Sequence, residues 1–539
     1  MKITRKDFIA KSASMIVPGL AAASVPGALA AGPPRGAEHA VPIFNVVHYG
    51  AKADGMTKDT RAIQAAIDAA AEKGGTVFFP GGKYLSGTVR LKSFVTLFLD
   101  AGATLLGSPD NSDYDPYEEL NYKSCSDPET TYFNSALIRA EDAHNFAIAG
   151  RGIIDGNRTK RHGPKPIAMK SCQQVSIRDI TMQNAPNYNI SMLGCDYVDI
   201  EGVTIYNGYA DGIDPDCSSY VRISNCYIET FDDAIVPKAS PSLGVVRPTE
   251  HLTVTNCVLT TRCYGLKFGT ESSGDFKNIA FSNCAIFGRP EKWHHSPLGG
   301  VALESVDGAN IDGVVVSNIV MEGVTAPIFI RLGNRGRCQP TPTPGSLQNV
   351  SIANIVSTGS TVTSTITGIP NHYVRNVTLE NIRISAAGGD AAMAPGYQVP
   401  EVIPKYPETT MFGKLPAYGL YCRHVRGLRL EGLNLQLEKA DNRPALITDD
   451  VGELDLLSLR AEPGSGARPV VEMHDANGAL IQGARALTGT KTFLLLSGRN
   501  TRKVRLMGND FSEAQTPFKT GDDVPKEALV ETGNLMPGE

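Results

Sequence analysis

Residues 209–238 read YADGIDPDCSSYVRISNCYIETFDDAIVPK, and the octet VRISNCYI inside them, starting at Val221, decides the fold. Apolar and polar side chains alternate, an Asn interrupts, and the alternation resumes. Alternation with period 2 belongs to strands, because only there do successive side chains point to opposite faces. The same octet recurs as VSIRDITM from Val175, VDIEGVTI from Val198, LTVTNCVL from Leu252, IAFSNCAI from Ile279 and VVVSNIVM from Val314. It returns as VSIANIVS from Val350, VTLENIRI from Val377 and LRLEGLNL from Leu428. The starts lie 23, 23, 31, 27, 35, 36, 27 and 51 residues apart. A short strand–turn unit with a base period and longer gaps reads as a solenoid with loops on one face. The recurring Asn225, Asn256, Asn283, Asn318, Asn354 and Asn381 suit a turn with left-handed dihedrals, their side chains stacking between coils. The pattern predicts an all-β chain, a single-stranded right-handed parallel β-helix.

That register gathers side chains far apart in sequence. Asp211 lies 13 residues after Val198, Asp232 and Asp233 lie 11 and 12 after Val221, and Tyr264 and Lys267 lie 12 and 15 after Leu252. With coils stacked about 4.8 Å apart, all five fall on one face of three consecutive coils. Carboxylates so close perturb one another's protonation. Isolated aspartates such as Asp54 and Asp100 read as ordinary turn residues.

The 539 residues carry a formal net charge of −5 and no basic block, which gives no reason to expect nucleic acid or an anionic membrane as partner. Residues 1–30 read as an export signal. Lys2, Arg5 and Lys6 precede a small, apolar stretch, and Ala28-Leu29-Ala30 offers a cleavage site. The expectation is a periplasmic or extracellular protein. Arg5-Lys6 is similar to a twin-arginine signal with one Arg replaced, which leaves the export route open. No other stretch is long and apolar enough to span a bilayer. Residues 41–512 read as the β-helix and 513–539 as a poorly ordered polar tail. Val46 to Gly50 reads as a strand. Ile63, Ala66, Ile67 and Ala70 mark one face of a helix with Asp59 as N-cap, placed to cover the first coil. Ten cysteines do not make a disulfide scaffold here: Cys226, Cys257 and Cys284 repeat at one inward position, as free packed thiols do. No C-x-x-C pair exists and His294-His295 stands alone, so no metal site is expected. Trp293, in the insertion after Ile286, is placed either to stack on a ligand or to pin its loop.

FNVVHYGAKADGMTKDTRAIQAAIDAA and GGTVFFPGGKYLSGTVRLKSFVTLFLDAGATLLGS, followed by IIDG, ADGIDPD, FDDAIVPK and YGLKFGTES, resemble family 28 of the glycoside hydrolases, the polygalacturonase family. The resemblance implies hydrolysis of α-linked galacturonic acid in pectin or rhamnogalacturonan saccharides, with inversion and without metal or cofactor. Of the family's Asn-Thr-Asp motif only Asp211 remains; the Asp-Asp pair is matched by Asp232-Asp233. The Gly-His-Gly motif stands as Cys263-Tyr264-Gly265, and the carboxylate-gripping Arg-Ile-Lys motif falls at Ala302-Leu303-Glu304. Tyr264, Lys267, Lys238 and Arg331 become the candidate substrate contacts in place of the lost cations. A glutamate at 304 repels a uronate if it faces the groove, which keeps an uncharged glycone such as rhamnose or galactose open.

Inversion needs one protonated carboxyl for the leaving oxygen and an ionised one to activate water. The resemblance gives the first role to Asp232, kept protonated by its acidic neighbours, and the second to Asp211 and Asp233. A monomeric glycosidase acting on a pectic polysaccharide or oligosaccharide is the reading. Two others stay open: a catalytically inactive carbohydrate-binding β-helix, and a calcium-dependent pectate lyase.

Overall fold

The computed structural model describes residues 42–289, 296–394 and 397–538. The segment 1–30 expected to be an export signal, Trp293, His294 and His295 lie outside the described residues. Parallel strands build a right-handed parallel β-helix. One row of the ladder pairs Val175, Val198, Val221, Leu252 and Ile279 in register, coil upon coil. It continues through Val314, Val350, Val377 and Leu428. All nine octets therefore stack first residue on first residue. Their alternating apolar side chains are buried in a continuous core, which fixes the register, since a one-residue slip turns every one of them outward.

The asparagines do what the repeat asks of them. Asn225, Asn256, Asn283, Asn318, Asn354 and Asn381 all have φ between 52° and 58°. Their amides bond along the solenoid: Asn318 Nδ2 donates to Asn283 Oδ1 at 2.9 Å, Asn354 to Asn318 at 3.0 Å, and Asn381 to Asn354 at 2.7 Å. Asn tolerates the left-handed region better than other side chains that carry a Cβ, because its amide bonds locally.

The helix Thr60–Lys73 buries Ile63, Ala66, Ile67 and Ala70 against the first coils, as its periodicity predicts. Asp59 stands at its N-cap position without a side-chain cap bond. Its carboxylate instead accepts from the backbone N–H of Lys52 and Ala53, at 2.7 and 3.0 Å. Val46–Tyr49 is a 3-10 turn rather than a strand. Cys226, Cys257 and Cys284 are buried free thiols, each donating to the carbonyl two residues earlier. Cys125 and Cys338, which lie outside the repeat, form a disulfide with a Cα–Cα distance of 5.6 Å. It ties the loop after residue 115 to the loop after residue 333, a link that no repeat register announces. The C-terminal segment is not a loose tail. Thr516–Thr520 and Leu529–Thr532 add further parallel strands to the ladder, because Phe518 and Leu529 still find apolar neighbours on the last coils.

Asn318→Ala removes two ladder bonds and leaves a Cβ residue with φ > 0. We expect a loss of about 1–3 kcal/mol in denaturant unfolding, of which Asn318→Gly recovers the backbone share.

Candidate active site

Short parallel bridges stack Ile213, Ile235 and Leu266 on successive coils with their side chains in the core. The polar residues between and beside them turn outward. Asp214 and Asp216 come from the strand Ile213–Asp216, Lys267 from Tyr264–Phe268. Asp211, Asp232 and Asp233 sit at the turns that lead into this face. Together with surrounding loops they line a cavity of ≈ 390 Å³.

Two of the three carboxylates meet at the amide of the third. The backbone N–H of Asp233 lies 3.2 Å from Asp211 Oδ1 and 3.1 Å from Asp232 Oδ1. Asp233 in turn accepts from the N–H of Tyr264 and from Lys267 Nζ, both at 2.9 Å. Asp211 Oδ2 accepts from Lys238 Nζ at 2.7 Å, and the same ammonium contacts Asp214 and rests 3.8 Å from the centre of the Tyr188 ring. Asp232 is the open one: its side chain is 24% exposed against 5% and 6% for Asp211 and Asp233. Its Oδ2 contacts Arg161, which Glu129 holds through a bond from Nε at 3.0 Å.

Electrostatics separate the group. Burial pushes Asp233 up to about 7; the charges of Asp232 and Asp211 push the same way, and Lys267 only partly opposes them. For Asp211 burial also pushes upward, but Lys238, Asp214 and Arg161 outweigh it and hold the carboxyl below its ordinary value. Burial drives Asp214 well above the ordinary range. Burial thus raises Asp233, the neighbour of the residue to which the resemblance gives the acid's role, together with Asp214.

The expected substrate contacts divide. Lys238 and Lys267 line the cavity, but both are engaged by carboxylates. Tyr264 does not face it. Its ring is buried with Ala302, Phe329 and Phe412, and its hydroxyl accepts from the N–H of Thr409 at 3.1 Å; what it gives the site is its backbone N–H. Arg331 is fully buried elsewhere. It donates to the carbonyls of Gly368 and Glu401 at 3.1 and 2.9 Å, pinning the loop that follows residue 388 onto the sheet. Glu304 does not face the groove either. It is 0% exposed, and neither carboxylate oxygen has a hydrogen-bond partner among the described residues.

Sequence reasoning did not find Arg161, Glu129, Glu271 or Tyr406, which also line the cavity. Arg161, Glu129 and Tyr406 stand in loops between coils, where register says nothing of them; Glu271 follows Lys267 by four residues in the same coil and carried a signal. Asp214 carried a signal, standing three residues after Asp211 in ADGIDPD. Asp232, Asp233 and Cys263 offer ligand atoms that lie within 4.8 Å of one another, but Asp233 already accepts from Lys267 and Tyr264. A cation there competes with a buried ammonium.

A family described as "Rhamnogalacturonase A/epimerase, pectate lyase-like" matches residues 43–295. A probable polygalacturonase of Vitis vinifera is 24% identical over 64% of this chain and 74% of its own length. An exo-poly-alpha-D-galacturonosidase of Dickeya chrysanthemi is 29% identical over 36% of this chain and 42% of its own. A polygalacturonase of Ralstonia nicotianae is 26% identical over 46% and 55%, so the alignments span about half the length of these two bacterial relatives. Among solved structures, the fold is similar to that of a family 28 exopolygalacturonase from Yersinia enterocolitica (TM-score 0.59, 20% identity, 79% of each chain). It is also similar to that of an exopolygalacturonase from Thermotoga maritima (TM-score 0.56, 22% identity, 64% of this chain and 88% of that one). The chain is thus similar in sequence to proteins named polygalacturonases and in fold to two exopolygalacturonases.

Glu304, pushed up to about 8 chiefly by burial, binds a proton more tightly folded than unfolded. Its effect is therefore to erode stability as pH rises from about 4 to about 8. Glu304→Gln is expected to raise Tm, more at pH 9 than at pH 5, in melts followed by circular dichroism.

Proposed function

We propose that this chain hydrolyses a glycosidic bond in a pectic saccharide, with Asp211, Asp232 and Asp233 supplying the acid and base. The observation that carries the reading is the grouping of three carboxylates in one walled cavity, two of them, Asp211 and Asp232, on the amide N–H of the third residue, Asp233. Asp232, the most exposed of the three, protonates the leaving oxygen. Asp211, held ionised by Lys238, takes a proton from the attacking water, and Asp233 lies beside both. Two groups of like charge acquire different roles when their surroundings push their affinities for a proton apart. Asp233 is the proton store of the resting site. Substrate must take over the place of Arg161 on Asp232, and Glu129 is there to receive the guanidinium.

The cavity is a pocket. Tyr406 walls one side, carried on a loop that Arg331 and Arg423 fasten through its carbonyls. Asp127 and Glu129 wall another, next to the Cys125–Cys338 disulfide. Such closure suits a chain end better than the middle of a polymer.

Galacturonic acid is the glycone that the family resemblance supports. One observation favours an uncharged sugar instead. Six carboxylates line the cavity, and its cations Arg161, Lys238 and Lys267 are each paired with one or more acids. A uronate there finds no cation with charge to spare among these three.

The test is turnover of a panel of pectic oligosaccharides in the presence of chelator, with products followed by mass and by anomeric NMR. Wild type is expected to give products that gain one water with inverted configuration. Asp232→Asn is expected to lose about 10²–10⁴ in kcat with KM little changed. A new ultraviolet-absorbing double bond, abolished by chelator, would instead mark a lyase. Activity should decline as pH rises through about 7, where Asp233 gives up the stored proton. On polymer, the viscosity should fall slowly relative to the release of reducing ends.

A further inference from the structure

Two excursions from the ladder meet beside the catalytic cavity, and one covalent bond joins them. Residues 108–135 run between the strands Ala103–Gly107 and Ala136–Glu141, and residues 333–345 between Ala326–Leu332 and Ser346–Ser360. The Cys125–Cys338 disulfide crosses from one to the other. Each excursion carries cavity contacts close to its half-cystine. Asp127 and Glu129 follow Cys125 by two and four residues, and both line the cavity. Arg337, next to Cys338, meets Asp127 at 3.3 Å and Glu271, another wall residue, at 3.2 Å.

The two ends of the bridge are fastened unequally. The Cys338 end is a fixed post. The buried carboxylate of Asp307 accepts from Arg335 Nε at 2.9 Å and from the backbone N–H of Arg337 at 2.8 Å. Arg335 also donates to the carbonyl of Thr270 at 2.9 Å. The Cys125 end is a span between two anchors. On one side the Tyr122 hydroxyl donates to the Ser242 carbonyl, and on the other the Thr130 hydroxyl meets that of Tyr188 at 3.3 Å. Among the described residues, the disulfide and the Asp127–Arg337 pair are the polar ties of residues 123–128 to the facing excursion. The Asp127 side chain is 62% exposed, and an ion pair so open to water holds little on its own. The covalent bond is what keeps Asp127 at the cavity rim.

That bond is also the one an outside thiol reaches. Cys125 and Cys338 are exposed, whereas seven of the eight free cysteines are buried and Cys263 is half-buried. Thiol–disulfide exchange needs access to a sulfur. With a dithiol as reductant, the S–S bond breaks, two electrons and two protons pass to the Cys125 and Cys338 sulfurs, and the dithiol is oxidised to its own disulfide.

We infer that the Cys125–Cys338 bridge is a redox-sensitive determinant of where the pocket engages a polymer. Oxidised, it holds the Asp127 rim across one end of the pocket. Reduced, it frees that rim and opens the pocket to chain interiors. The inference rests on the reading of the cavity as a glycosidase pocket suited to chain ends. Glu129 stays beside the anchored Thr130 and keeps its hold on Arg161 in both states, so the chemical step is unchanged.

The experiment compares the full chain oxidised, the same chain after dithiothreitol, and Cys125→Ser/Cys338→Ser. Amides of residues 120–128 are expected to exchange hydrogen severalfold faster in the reduced chain and in the double variant, with the coils unchanged, by mass spectrometry. On whichever of polygalacturonate and rhamnogalacturonan is cleaved, viscosity loss per reducing end released is expected to rise severalfold, while kcat on a short oligosaccharide holds. Dithiothreitol is expected to leave the double variant as it was, and reoxidation to restore the wild type. Exchange that ignores dithiothreitol, or a ratio of viscosity loss to reducing ends that is the same in both states, would overturn the inference. Absence of turnover on either polymer would sink the hydrolase reading alone. Electrophoresis through gels containing each polymer then decides the inference, with stronger retardation of the double variant expected and equal retardation contradicting it.

Discussion

The structure depends on one constraint, the parallel ladder that stacks Val175 on Val198 on Val221 and so on through the chain. Each coil hydrogen-bonds to its neighbours and buries the same alternating positions, so no coil can slip without exposing its core. Because the coils are held in register, residues tens of positions apart become neighbours one strand spacing away. Three carboxylates are thereby brought to one cavity, Asp211 from one coil and Asp232-Asp233 from the next.

Holding those carboxylates together has an electrostatic cost, and two buried lysines offset it. Lys238 sits between Asp211 and Asp214, and Lys267 sits against Asp233. Removing one partner of such a buried pair typically costs about 3–5 kcal/mol, because the other charge is left unpaired out of water. These lysines therefore serve two ends. They keep the acidic cluster folded, and they set unequal affinities for a proton across it. The same pairing explains why cations near the site are poor candidates for gripping a uronate.

What was legible in the sequence follows from the same physics. The octets, the asparagine turns and the four apolar helix positions obey periods, and periods can be read from letters alone. The convergence of Asp211, Asp232 and Asp233, with Lys238 and Lys267 beside them, followed from counting residues within coils. Tyr264 and Arg331 did not follow, since counting places a residue on a face but cannot show a loop folded over it; Phe412 and Glu401 of that loop take both side chains out of reach of substrate. Arg161, Glu129 and Tyr406, and the Cys125–Cys338 bridge, lie in excursions with no register at all. The last coils were missed for a milder reason: polar and Pro/Gly-rich residues around Phe518 and Leu529 hid two short strands that the growing ladder still accepts.

The most direct measurement is a crystal structure of the Asp232→Asn protein with an oligosaccharide that the wild type cleaves. The account predicts the scissile oxygen within hydrogen-bonding distance of residue 232, a water between Asp211 and Asp233 on the far side of the sugar, and Arg161 drawn back onto Glu129. A saccharide that binds with its glycosidic oxygens remote from residue 232, leaving the Asp211–Lys238 and Asp233–Lys267 pairs facing empty solvent, would contradict it.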